Sequence, residues 1–121
     1  GVSNLKTQIE ATAITNETVS TYNDIAFYAE QFGAFKESVF LLEKIIEKFP
    51  NRTVAYINIG DAYWQISETD KAKKAYVTYI DKMKNEIKQT ARFISQFKDF
   101  IGLMNSFNNI FSTIGMRITD K

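Results

Sequence analysis

The 121-residue sequence predicts an all-α fold: two stacked antiparallel helix pairs, preceded by a short N-terminal helix and followed by a long Phe-rich helix that caps them. The first observation behind this is a 34-residue self-similarity. Tyr22, Ile25-Ala26, Ala29, Ser38 and Leu42 recur as Tyr56, Ile59-Gly60, Tyr63, Ala72 and Tyr76, and a period of this length marks repeated supersecondary units that stack on one another. The second is the apolar spacing of three and four residues, which is a helix face and not a strand face. The third is the punctuation: Gly33 and Pro50-Asn51 stand where helices must stop. Five or six helices and no strand are expected.

Residues 3–14 form the first short helix, with Leu5 and Ile9 on one face and Ser3 as its N-cap. It is either the last helix of a worn preceding repeat or an N-terminal cap. Asn16 or Thr18 caps the next helix, Thr18 to Phe32, whose buried set is Tyr22, Ile25, Ala26, Ala29 and Phe32. Its partner runs from Phe35 to Phe49, with Val39, Leu42, Ile45, Ile46 and Phe49 as its stripe.

The second copy follows the same plan. Its first helix spans Thr53 to Ile66, with Gly60 where a small residue lets two helices approach. Ser67 and Thr69 supply turn and cap oxygens. Its second helix starts near Asp70 and carries Ala72, Ala75, Tyr76, Tyr79, Ile80 and Met83. A turn is expected at Lys84-Asn85-Glu86, although no proline closes the helix there. One domain then comprises an N-terminal cap 1–18, repeats 19–52 and 53–86, and a C-terminal helix 87–116.

Residues 87–116 abandon the repeat, because Ile94 stands where a third copy needs a small residue. A seven-residue spacing replaces it: Phe93, Phe100, Phe107 and Ile114 in one row, Phe97, Met104 and Phe111 in a second, Ile94 and Ile101 in a third. A repeat pair cannot bury its faces alone, so this stripe is expected to lie over the open end of the second repeat as core. The alternative gives Phe97, Phe100, Met104, Phe107 and Phe111 to an interface, with a second copy or with a membrane surface. The segment is too short and too polar-sided for a bilayer span.

Composition narrows the chemistry. With no cysteine and no histidine, the chain lacks thiolate nucleophiles, the commonest metal ligand and the usual base near neutral pH. No Ser-His, Cys-His, phosphate-loop or dinucleotide-binding motif is present, and Glu43 and Glu47 alternate with Lys44 and Lys48 as on an exposed face. No catalytic residue, metal or cofactor is expected. Absence of cysteine fits a cytoplasmic protein, and residues 1–6 contain no apolar stretch of a signal peptide. The net charge of +1 conceals an asymmetry: residues 1–70 carry a balance of −5, and residues 71–92 a balance of +5. The basic run is expected to be a solvated helix face rather than a nucleic-acid stripe.

Across residues 19–86 the chain resembles the tetratricopeptide repeat family, most closely from Tyr56 through Ile59-Gly60, Tyr63 and Ala72 to Tyr76. That resemblance implies a short right-handed superhelix. It also implies a non-catalytic module that binds a protein or peptide on the concave face of the first helix of each pair. By position this face carries Asn23, Phe27 and Glu30 from the first repeat and Ile57, Asp61 and Trp64 from the second. The lysines of the family's carboxylate clamp are missing, so that mode is rejected. The stretch Phe49 to Trp64 is also similar to small bacterial repeat proteins, including immunity proteins of contact-dependent growth inhibition systems. Such a protein binds and blocks one toxin domain, and an acidic surface facing a basic nuclease would suit that task.

Overall fold

A computed structural model describes residues 1–113 and residue 115 of the chain. Five helices follow one another: α1 (Val2–Ala11), α2 (Val19–Gln31), α3 (Phe35–Lys48), α4 (Thr53–Gln65) and α5 (Thr69–Thr113). No strand occurs among the described residues, and no helix among them is long and apolar enough to cross a membrane. The fold is all-α and tetratricopeptide-like. The chain divides into two units, Gly1–Met83 and Lys84–Lys121.

In the first unit the period is written into the backbone. The starts of α2 and α4 lie 34 residues apart, and so do those of α3 and α5. Even the connecting turns repeat: Gly33 closes α2 with a φ of 85°, and Ser67, one period later, has a φ of 63°. Glycine takes this left-handed conformation without steric cost, whereas serine must overcome its Cβ.

The order of packing follows the chain, with α2 against α3, α3 against α4, and α2 also against α4. α1 packs on α3. α3 thus lies between neighbours, and Ser38, Leu41, Leu42 and Ile45 are its fully buried side chains. Around them Ile14, Val19, Tyr22, Ala26, Ala55, Ile59 and Ala75 complete the core. In the first repeat the close approach of helices is sealed by the Ser38 hydroxyl, which donates to the Ala26 carbonyl at 2.7 Å in a buried position. In the second, Gly60 serves instead. A Cβ on it would come within 2.6 Å of the Tyr76 ring.

Several local expectations are corrected. Ser3 lies inside α1, which is capped at Gly1 without a side-chain bond. Thr18 occupies the N-cap position of α2 but does not cap it. Its hydroxyl instead accepts from the Thr15 amide at 2.8 Å and donates to the Ala13 carbonyl at 2.7 Å, which locks the loop before α2. Phe32 is 86% exposed and Ile25 is also exposed, so the buried face of α2 is narrower than its apolar residues imply.

The largest correction concerns the C-terminal segment. No turn interrupts residues 84–86; α5 runs unbroken from Thr69 to Thr113. The stop signal Pro50 has no counterpart one period on, where Lys84 stands, and β-branched Ile101 stands two periods after left-handed Gly33. Nothing breaks the hydrogen-bond ladder. Gly102 does not interrupt it either. The apolar stripe is not buried as core: Phe93, Phe97, Phe100 and Phe107 remain 41–66% exposed. Ile114 and the expected helix end at residue 116 lie outside the described residues.

Candidate partner-binding faces

The residues expected on the first helix of each pair lie on α2 and α4, which pack against each other. Its residues have unequal roles. Asn23 is buried, and its Oδ1 accepts from Arg52 Nε at 3.1 Å. The same guanidinium reaches the Ser20 hydroxyl at 3.4 Å. Asn23 therefore ties the α3–α4 corner to α2 and is spent on structure. Phe27 and Trp64, by contrast, are 42% and 54% exposed. Phe27 stands edge-on to Tyr28, with ring centroids 5.5 Å apart. Ile57 is partly buried.

Two carboxylates accompany these aromatics. Asp61 is exposed and accepts a hydrogen bond from the Tyr76 hydroxyl at 2.6 Å. Glu30 is partly buried and accepts from Gln31 Nε2 at 2.7 Å. Tyr76 registers both: burial first, then the bond to Asp61 and the fields of Asp61 and Glu30, push its hydroxyl up from 10.0 to about 12. A phenol held neutral beside carboxylates is a donor that fixes Asp61 in place. α2 and α4 thus each present an exposed aromatic, with a hydrogen-bonded carboxylate three residues away along the helix.

A second concave surface was not foreseen. It is lined by Glu43, Ile46, Tyr56, Tyr63, Lys71 and Lys74. The Tyr63 hydroxyl donates to Glu43 Oε1 at 2.8 Å, and burial followed by this bond raises its pKa far above the usual phenol range. Lys71 Nζ lies 5.7 Å from the centre of the Tyr63 ring. Lys82 Nζ lies 5.3 Å from that of Tyr56 and also donates to Asn51 Oδ1 at 3.3 Å. These lysines of the basic run rest on aromatic faces. The signal that could have located this surface is the pair Tyr56 and Tyr63, seven residues apart on one face of α4, followed by the lysines of α5.

A third groove is lined by residues of α1, α2 and α3, among them Leu5, Tyr22, Ile25, Ala29 and Leu41. Its floor is fixed by the Tyr22 hydroxyl, which donates to the Thr12 and Gln8 carbonyls. In the second unit the residues expected at an interface divide: Phe97, Phe100 and Phe107 are exposed, while Met104 and Phe111 are partly buried.

Comparison with known proteins places this geometry beside one relative. Tetratricopeptide repeat protein 16 of Mus musculus is 39% identical over 56 residues, which is 46% of this chain and 7% of the mouse protein. The chain thus spans less than a tenth of that relative's length. No family model and no solved structure matches. Both the helix register and this partial likeness point the same way: the chain is similar to tetratricopeptide repeat proteins, a class of helical-repeat interaction modules.

Proposed function

We propose that this chain is a non-catalytic protein-interaction module that takes a protein or peptide partner on the α2/α4 face. The observation that supports it most is the exposure of Phe27 and Trp64 on adjacent first helices, beside Asp61 and Glu30. Aromatics presented among polar groups are the composition of binding hot spots. Because their helices are packed together, the aromatic platforms are pre-organised and little ordering cost opposes binding.

The acidic balance of residues 1–70 favours a basic partner, since opposite fields speed and orient association. A toxin domain with a basic nuclease surface, neutralised by this chain as an immunity protein, is the partner class to test first. Affinity purification from the source cell is expected to recover a stoichiometric protein partner. With that complex in hand, Phe27→Ala and Trp64→Ala are each expected to weaken binding by about 1–4 kcal/mol, measured by calorimetry. Unchanged affinity in both variants would remove the α2/α4 face as the site.

A further inference from the structure

Residues 87–111 of α5 carry a pattern that belongs to neither repeat. Rows seven apart are Ile87, Ile94, Ile101 and Asn108, then Thr90, Phe97, Met104 and Phe111, with Phe93, Phe100 and Phe107 alongside. All lie within one uninterrupted helix. A seven-residue apolar repeat keeps its seam facing another helix with the same repeat. The partner most directly supplied with that repeat is a second copy of this chain.

Three features select that occupant and its direction. The first is area. At roughly half exposure each large side chain offers about 100 Å², so the stripe presents roughly 800 Å², about what each partner contributes to a stable interface. The second is Asn108. It shares a row with Ile87, Ile94 and Ile101, and its Oδ1 is shielded from solvent without a hydrogen-bond partner. A polar residue at one such position sets register and orientation. The third is charge. Lys84, Lys88 and Arg92 crowd the beginning of the segment, and Phe100 to Thr113 contains no charge. Parallel copies would set the cations against their own images, while antiparallel copies set them beside the uncharged end.

We propose that two copies of this chain associate antiparallel through the stripe of residues 87–111. A single offset then satisfies every layer. Ile87 meets Phe111, Ile94 meets Met104, and Ile101 meets Phe97 of the second copy. Asn108 meets Thr90, one polar pair in an otherwise apolar seam. Phe100 approaches its own counterpart near the two-fold axis. This assembly is independent of the α2/α4 face, so either can fail without the other.

The chain contains no cysteine, which makes single-cysteine probes clean. Light scattering on the full chain is expected to give twice its 13.9 kDa mass. Phe97→Asp combined with Phe100→Asp is expected to weaken association at least about tenfold. Because neither residue belongs to the core of the first unit, helicity and cooperative unfolding of that unit should persist. Under mild oxidation a mixture of Ile94→Cys and Met104→Cys chains should form the mixed disulfide, and each alone should form little. A monomer at about 100 μM, or association untouched by the aspartates, would overturn the proposal. So would self-linked Ile94→Cys, the mark of a parallel pair, or a monomer that floats with liposomes, which would assign the stripe to lipid.

Discussion

α3 and α5 are the second helices of two copies of one plan, yet one is the most buried element and the other is largely exposed. At matched positions Leu42 is fully buried and Tyr76 only partly; Ile45 is fully buried and Tyr79 only partly. Ile46 packs against the core, whereas Ile80 is 49% exposed. The difference lies in the neighbours. α3 is packed by α1, α2 and α4. The first repeat also solves helix approach with Ala26 and Leu42, where the second uses Gly60 and Tyr76. Burial in a repeat protein is thus assigned by position in the stack, and hydropathy alone does not predict it.

The steepest test of this contrast is truncation at matched sites. Leu42→Ala is expected to cost about 2–5 kcal/mol in urea unfolding, because it leaves a cavity among packed neighbours. Ile80→Ala, at the site matching Ile46, should cost less than about 1 kcal/mol, since solvent already reaches its side chain. Equal losses would erase the distinction between the helices.

A second test converts one repeat into the other. Gly60→Ala places a methyl within 2.6 Å of the Tyr76 ring and is expected to destabilise by about 1–3 kcal/mol. Adding Tyr76→Leu recreates the Ala26/Leu42 pair of the first repeat, so the double variant should recover most of that loss. Simple additivity in the double-mutant cycle would show that the two repeats do not share this packing rule.

The turns offer a smaller, mirror-image effect. Ser67→Gly should stabilise by roughly 0.5–1 kcal/mol, and Gly33→Ala should destabilise by a similar amount, because both positions hold positive φ. The smallest effect is one of pH. Burial and the bond to Asp61 push the Tyr76 hydroxyl up from 10.0 to about 12. Its contribution is therefore complete below pH 10 and is lost as pH rises from 10 through about 12. Thermal melts of Tyr76→Phe should fall less steeply than wild type across that window, and the gap is modest because the hydroxyl is only partly shielded.

Much of the first unit was legible in the residues. The period, the three- and four-residue spacing and the breakers Gly33 and Pro50 put the bounds of α2, α3 and α4 within about a residue of those observed. Those signals are local, so sequence carries them. What escaped required knowing which elements meet. Leu41, which lies off the expected stripe of α3, is fully buried, and α1, as well as α2 and α4, packs on α3. Asn23 fits the binding face by position in the repeat, but Arg52, 29 positions away, holds it. Phe32 fits the helix periodicity of α2, but no neighbour reaches its side. The Phe-rich segment is expected to be core because two repeats need a neighbour; its own residues say only that it is helical and apolar on one side.

The contrast between a helix buried by its own chain and one awaiting a neighbour can be read directly from hydrogen exchange followed as a function of protein concentration. Amides of α3 around Leu41 to Ile45 should exchange slowest at every concentration, because they open only with global unfolding. Amides of residues 87–111 should exchange fast in dilute solution and slow markedly as the protein is concentrated. Protection of 87–111 that equals that of α3 in dilute solution, or that ignores concentration, would contradict this assignment.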